Sequence, residues 1–117
     1  MNTAIVMGRL VENPTISKKG DVTVARYRLA VDRLPNKDGT HETDYLPITV
    51  FNKSAEFAEK YFFKGMRVLV SGAIRTGSYT NKDGRKVYTT EIHAQTQEFA
   101  DSKNVDNRRE PEDLPFN

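Results

Sequence analysis

The chain of 117 residues contains no cysteine and no tryptophan. Without a thiol, the sequence excludes a disulfide scaffold, a thiolate zinc site, an iron–sulfur cluster and a cysteine nucleophile. It also lacks an apolar run of about 18 residues, and no basic stretch followed by an apolar one stands near its start. These absences predict a cytoplasmic protein without a membrane span or a secretion signal.

Patterns typical of catalysis and of cofactor binding are missing as well. The two histidines, His41 and His93, stand far apart in the chain, and neither lies in a cluster of metal-ligating residues. The glycines occur singly, without the spacing of a phosphate-binding loop, and the serines lack a nucleophile-elbow context. Acidic pairs such as Asp83 with Glu91 fall in or near predicted exposed turns, where carboxylates are usually solvated. The sequence therefore predicts no metal site, no cofactor and no enzymatic activity.

Charge is distributed unevenly along the chain. The formal net charge is +2, but residues 1–100 carry 15 basic and 11 acidic side chains, whereas residues 101–117 carry 3 and 5. Residues 101–109 lack apolar periodicity, which predicts a flexible linker after a domain of residues 1–100. Residues 110–117 combine acidic with apolar side chains. That segment is either a solvated terminus or a short motif that docks onto a partner protein.

Alternating apolar residues predict most of the chain to be β-strand. One helix is predicted over residues 53–64, with Asn52 as its N-cap and Gly65 at its end. Gly72 indicates a bulge or bend, and Asn81-Lys82-Asp83-Gly84 is typical of a tight hairpin turn. The predicted strand segments are residues 4–10, 21–32, 44–51, 67–74, 75–79 and 85–92, the last of which continues to Phe99.

With residues 67–79 counted together, the order of these elements is three strands, one helix and two further strands. This order is that of an all-β OB-fold, a five-stranded Greek-key barrel with one α-helix between its third and fourth strands. A small mixed α+β sandwich with the same element order remains open. OB-folds bind oligonucleotides or oligosaccharides on one face of the barrel.

Aromatic and basic residues on the predicted strands favour a nucleic-acid interface. If Leu46, Ile48 and Val50 fill the barrel, the alternate residues of the same strand face outward. The outward side then carries Tyr45, Thr49 and Phe51, with Tyr79 on the later hairpin, and residues 21–32 expose Arg26 and Arg28. The nearby basic candidates are Arg33, Lys37, Lys53 and Arg75, and Lys82, Arg85 and Lys86 flank the hairpin turn. Such rings stack unpaired bases beside a basic track for the phosphates. The alternative is that the rings are core or interface residues.

Several short motifs occur in a fixed order along residues 1–100. They include Gly8-Arg9-Leu10, Asn13-Pro14, Thr43-Asp44-Tyr45, Val50-Phe51-Asn52-Lys53-Ser54-Ala55-Glu56, Lys64-Gly65, Ser71-Gly72, Arg75-Thr76-Gly77-Ser78-Tyr79 and Tyr88-Thr89-Thr90-Glu91. With these motifs the chain resembles the bacterial single-stranded DNA-binding protein family. The end of the chain, Glu112-Asp113-Leu114-Pro115-Phe116, is similar to the acidic C-terminal tip of that family. A weaker resemblance is to the primosomal replication protein, which would make the chain an interaction module of replication restart.

The resemblance implies an OB-fold homotetramer that wraps single-stranded DNA with little sequence preference. It implies protection of single strands during DNA replication, repair and recombination, with replication and repair proteins bound by the tip. The implied stacking residues are Tyr45, Phe51 and Tyr79, and the implied backbone contacts include Lys53, Lys64 and Arg75.

The chain also departs from the pattern of this family. Tyr45 and Tyr79 stand where members often carry tryptophan, and Leu34 is the nearest apolar residue to a loop position that is aromatic in the family. Pro47 cannot donate a ladder hydrogen bond, which is typical of a bulge. Asn117 follows Phe116, so the terminal carboxylate stands one residue farther out than in the family's tip.

Overall fold

The computed structural model describes residues 1–100, which form six β-strands and one α-helix. The strands are β1 (Ala4–Leu10), β2 (Thr15–Lys19), β3 (Val22–Asp32), β4 (Thr43–Phe51), β5 (Arg67–Thr80) and β6 (Lys86–Phe99), and helix α1 (Lys53–Tyr61) lies between β4 and β5. The predicted linker over residues 101–109 and the predicted acidic tip over residues 110–117 lie outside the described residues.

Five of the strands close into a ring. In the order β1, β5, β6, β4 and β3, each strand pairs with the next, and β3 returns to β1 where Leu29 lies opposite Leu10. These pairs are antiparallel except for β4 and β6, which run parallel where Ile48 lies opposite Ile92. The closed ring confirms the predicted OB-fold barrel and excludes the open α+β sandwich.

Strand β2 was not predicted from the sequence. It pairs with β3 from Thr15 opposite Arg26 to Lys19 opposite Val22, and the connecting turn places Gly20 at a φ of 59°. Ile16 is the one residue of β2 that is partly buried, and the other four are exposed. Without a repeated apolar position, β2 has no hydrophobic signature, and its backbone pairing to β3 defines it.

The core follows the alternation expected from β3 and β4. Ala25 and Leu29 on β3 and Ile48 and Val50 on β4 are completely buried. Tyr27 lies between Ala25 and Leu29 on β3. Its hydroxyl donates a 2.7 Å hydrogen bond to the side-chain oxygen of Gln97 on β6. Burial raises the pKa of Tyr27 well above its ordinary value. The barrel is thus filled by the side chains that the period-two pattern assigned to its interior.

Helix α1 covers one end of the barrel with Ala55 and Ala58, both completely buried. The helix ends three residues before the predicted end, at Tyr61, and the predicted cap by Asn52 is wrong because no side-chain hydrogen bond caps the helix. Asn52 instead has a φ of 54° and accepts a hydrogen bond from the backbone of Thr23 on β3. Asn52 therefore joins β4 to the helix through a residue with positive φ, and its side chain is hydrogen-bonded to β3.

Strands β5 and β6 are each 14 residues long and extend beyond the barrel as a hairpin. The predicted segments 67–74 and 75–79 belong to one strand, because pairing with β6 is continuous on either side of a register shift between Ser71 and Gly72. This shift confirms the predicted irregularity at Gly72. The predicted turn is also confirmed, since the amide of Gly84 donates to the carbonyl of Asn81 at 3.0 Å. By contrast, β4 keeps a regular register through Pro47, so the bulge predicted there is wrong.

Candidate nucleic-acid interface

Three aromatic side chains lie on the outer surface of the barrel. Tyr45 is 56% exposed, Phe51 39% and Tyr79 57%. On β4, the first two alternate with the buried Ile48 and Val50, because successive strand residues point to opposite faces. The alternative that the three rings pack in the core is therefore wrong.

The strand register places the three rings on one face of the sheet. Residues directly opposite each other in neighbouring strands share a face, and Thr49 lies opposite His93 while Arg75 lies opposite Glu91. The odd-numbered residues of β4 and β5 therefore point to the same side as Glu91 and His93. The rings belong to this odd-numbered set. We call the outer surface of the adjacent strands β3, β4, β6 and β5 the ring face.

Two arginines extend the ring face onto β3. Arg26 lies opposite Thr49 and Arg28 lies opposite Pro47, and both arginines are exposed. Together with Glu91 and other residues they line an open groove with a volume of about 320 Å³. Neither arginine was among the predicted site residues, although their alternation with apolar residues along residues 21–32 was the signal that could have identified them.

The predicted basic residues do not all lie together. Arg75 is exposed on the ring face, opposite Glu91. Lys37 is exposed in the loop between β3 and β4, and Lys53 is exposed at the start of α1, two residues after Phe51. Lys64 is exposed after α1. Its backbone amide donates a 2.8 Å hydrogen bond to the side-chain oxygen of Asn13, in the loop between β1 and β2. The structure thus places Arg75 on the strands of the ring face and the three lysines outside those strands.

Arg33 is occupied by acidic neighbours. Its guanidinium donates to the Asp44 carboxylate at 2.8 Å and to the Glu42 carboxylate at 2.8 Å. The hydrogen bond to Asp44 raises the pKa of Arg33 and in turn lowers the pKa of Asp44. Two carboxylates balance the one cation, so Arg33 fastens the base of the β3–β4 loop and adds little positive charge to the surface.

A hydrogen-bonded group occupies the middle of the ring face. The hydroxyl of Thr49, which is 2% exposed, donates to the carboxylate of Glu91 at 2.5 Å, and Nε2 of His93 lies 3.0 Å from the same oxygen. The hydrogen bond from Thr49 is the largest cause that lowers the pKa of Glu91. Being buried, Thr49 offers no surface for direct contact with DNA. The expectation that Glu91 is a solvated carboxylate near a turn is wrong, because Glu91 lies within β6 and is half-buried.

A further exposed ring lies on the opposite side of the β5–β6 hairpin. Tyr88 is 75% exposed, and the ammonium group of Lys86 lies 5.6 Å from the centre of its ring. Tyr88 was not among the site residues predicted from the sequence. Tyr88 has an even number on β6, so its side chain points to the opposite face of the hairpin from that of Tyr79. This part of the hairpin extends beyond the barrel.

Within residues 1–100, no three residues of the ligating types come together in a way that could hold a metal ion. Among the described residues, no helix has the length and apolarity needed to cross a membrane.

Comparison with known proteins agrees with this geometry. Residues 1–100 match the family described as "Single-strand binding protein family". The chain belongs to the single-strand binding protein family. Members of this family are DNA-binding proteins that are not enzymes, so the prediction that the chain is not an enzyme is confirmed. The family resemblance stated from the sequence motifs is confirmed as well.

Relatives of the single-strand binding protein family cover most of the chain. "Single-stranded DNA-binding protein 1" of Staphylococcus aureus is 38% identical over 112 residues, which are 94% of this chain and 72% of that protein. A "Single-stranded DNA-binding protein" from another strain of the same species is 40% identical over 106 residues, covering 89% and 68%. "Single-stranded DNA-binding protein 3" of Clostridium acetobutylicum is 42% identical over 101 residues, covering 85% and 70%.

Proposed function

We propose that the protein binds single-stranded DNA without sequence preference by stacking bases on the ring face. The observation that carries this proposal is the joint exposure of Tyr45, Phe51 and Tyr79 on adjacent strands of one barrel face. Every base has a π-face, so a ring accepts any base, and stacking is worth about 1–3 kcal/mol per base. Three rings therefore hold a strand firmly without reading its sequence.

Basic residues around the rings are proposed to contact the phosphates. Arg26, Arg28 and Arg75 lie on the ring face, and Lys53 begins the helix next to Phe51. Lys37 in the loop between β3 and β4 and Lys64 after α1 are exposed and are proposed to add further phosphate contacts. A cation that neutralises a phosphate releases a condensed counterion, so affinity falls as salt rises. We expect a linear decrease of log affinity with log salt, with a slope of roughly −0.7 for each neutralised phosphate.

Substitution of single tyrosines tests base stacking directly. Tyr45→Leu and Tyr79→Leu should each weaken binding of labelled oligothymidine by about fivefold to a hundredfold, measured by fluorescence anisotropy at one salt concentration. Tyr61→Leu is the matched control, because Tyr61 is 48% exposed but lies on α1, away from the ring face. Equal effects of all three substitutions, or no effect of the first two, would contradict the proposal.

We propose further that the chain assembles as a homotetramer, starting from pairing at β1. From Ala4 to Gly8, β1 pairs with β5 along one edge, and no described strand pairs with the other edge. Ile5 is 69% exposed and Met7 is 51% exposed on the outer side of the same strand. An open edge with exposed apolar side chains favours pairing with a second copy of the chain. Light scattering tests this assembly, and a monomer at micromolar concentration would refute it.

We propose that the acidic tip, Glu112, Asp113, Leu114, Pro115 and Phe116, binds replication and repair proteins. Support comes from the sequence alone, which combines acidic residues for steering with apolar residues for docking. In this role the cytoplasmic protein protects single strands during DNA replication, repair and recombination. Deletion of residues 110–117 should abolish partner binding and preserve or increase affinity for DNA. Loss of DNA affinity on this deletion would contradict the assignment.

A further inference from the structure

Phe51 differs from the other two rings of the ring face in having an aromatic neighbour. The centre of its ring lies 5.3 Å from the centre of the His93 imidazole, and the two planes meet at 62°. Within residues 1–100, neither Tyr45 nor Tyr79 forms such a ring pair. Edge-to-face contacts of this kind favour one orientation of the rings over others. The 39% exposed Phe51 ring is therefore held from one side while its remaining surface faces solvent.

The imidazole of His93 is itself held in place. Its Nε2 atom lies 3.0 Å from Oε1 of Glu91, two residues earlier on the same side of β6. The same carboxylate oxygen accepts the hydrogen bond from the buried hydroxyl of Thr49 on β4. A fully buried donor on the neighbouring strand thus fixes the carboxylate, and the carboxylate fixes the imidazole. An unbroken series of contacts therefore links the buried Thr49 to the exposed ring of Phe51.

The carboxylate of Glu91 lies on the face that is proposed to bind DNA, where a negative charge is electrostatically unfavourable. A carboxylate on a surface that binds a polyanion repels the phosphates, and an apolar or amide side chain would avoid this repulsion. The hydrogen bond from Thr49 is the largest cause that lowers the carboxylate's pKa, followed by the hydrogen bond from His93, and electrostatic attraction to Arg26 contributes least. The negative charge is therefore compensated by neighbouring groups of the ring face, one of which is the imidazole of His93.

We propose that Glu91 and His93 are positioning residues for Phe51. They hold the Phe51 ring in the orientation needed for base stacking before DNA binds. This inference rests on the proposed function, because it requires that a base stacks on Phe51. A side chain that is already ordered loses less conformational freedom on binding, which strengthens the complex. Phe51 is then the preorganised platform of the ring face, whereas Tyr45 and Tyr79 have no aromatic neighbour within residues 1–100 to hold their rings.

A double-mutant cycle in the full-length chain tests this coupling. Affinity for oligothymidine is measured for His93→Leu, for Phe51→Leu and for the double variant. We expect His93→Leu alone to weaken binding by about threefold to tenfold, as expected for the loss of one aromatic contact. With Leu already at position 51, the same change should have no further effect. In the Tyr79→Leu background, which serves as the matched control, it should keep its full effect.

The outcomes separate the positioning role from the proposed function. If His93→Leu weakens binding equally with and without the Phe51 ring, the positioning role is overturned while base stacking stands. If Phe51→Leu leaves the affinity unchanged, both proposals fail at this residue. Thermal unfolding of each variant excludes loss of folding as the cause.

Substitution of Glu91 provides a second, independent test. In Glu91→Gln the amide oxygen still accepts hydrogen bonds from Thr49 and from His93, whereas Glu91→Leu accepts none. We expect the coupling between positions 93 and 51 to persist in Glu91→Gln and to vanish in Glu91→Leu. The aromatic NMR signals of Phe51 should likewise shift only in the Leu variant. Persistence of the coupling in both variants would overturn the role of Glu91.

Discussion

Of the two glycines in β5, Gly72 leaves less room for a side chain than Gly77. A Cβ atom at Gly72 would lie 2.6 Å from the Cα atom of Ala94 and closer still to the carbonyl oxygen of His93, whereas ordinary contacts begin at 3.4 Å. Both atoms belong to the backbone of β6, so no side-chain rotation relieves the overlap. The Gly72→Ala substitution must therefore push β5 and β6 apart at the register shift from which the long hairpin with Tyr79 begins.

The expected cost follows from this overlap. Overpacking in a well-ordered core costs about 1–3 kcal/mol, and the upper end applies here because backbone rather than side chain must move. A loss of about 3 kcal/mol lowers the melting temperature of a domain of this size by about 12–24 °C. Gly77→Ala is the matched control on the same strand. Its Cβ atom would meet only the side-chain hydroxyl of Thr89, at 3.3 Å, and alanine restricts the unfolded chain, so its stability should change by less than about 1 kcal/mol.

Thermal and urea unfolding, followed by circular dichroism at one pH and one protein concentration, distinguish the two variants. Both sites are glycines of β5 with negative φ or extended backbone, so intrinsic conformational preference does not separate them. The decisive quantity is the difference between Gly72→Ala and Gly77→Ala in free energy of unfolding. A difference smaller than about 1 kcal/mol would refute the claim that the close approach of β6 requires glycine at position 72.

Three further predictions follow from the described contacts. Thr49→Val removes the hydrogen bond to Glu91 and should lower the free energy of unfolding at neutral pH by about 1.5–3 kcal/mol. Because that bond lowers the pKa of Glu91 below its ordinary value of 4.5, its contribution is present above this value and is lost as pH falls through the folded pKa, so the two urea curves should converge in acid. Tyr27→Phe removes a buried hydrogen bond and should destabilise the protein by about 1 kcal/mol in urea titration; an unchanged midpoint would contradict it. Arg28→Ala should reduce the steepness of the salt dependence of DNA affinity by roughly 0.7, whereas Arg33→Ala, whose charge is already balanced, should leave it unchanged, and equal slopes for the two variants would exclude this distinction.

The barrel could be predicted because its strands repeat one chemical pattern. On β3 and β4, apolar residues at every second position determine which side faces inward. The structure buries these residues, from Ala25 to Leu29 on β3 and at Ile48 and Val50 on β4. β2 escaped prediction because its side chains are almost all exposed, so only backbone pairing defines it. The helix cap at Asn52 was predicted from residue type alone. In the folded chain the Asn52 side chain turns to the amide of Thr23, which lies close only after β3 and β4 have paired.

The candidate site divides in the same way. The alternation on β4 was sufficient to predict that Tyr45 and Phe51 face outward, because the pleat of a strand is a local property. The group of Thr49, Glu91 and His93 was not predictable, because its members come from two strands that are distant in sequence and pair in parallel.

Residue patterns alone predicted the order of the five barrel strands and the helix, the inward and outward sides of β3 and β4, and the family to which the chain belongs. All of these depend on residue types at short, regular spacings along the chain. The folded structure was needed to show that Arg33 is balanced by carboxylates, that Thr49 is buried, and that His93 lies against the ring of Phe51. These features depend on distances between strands, and such distances are set by closure of the barrel rather than by any local pattern.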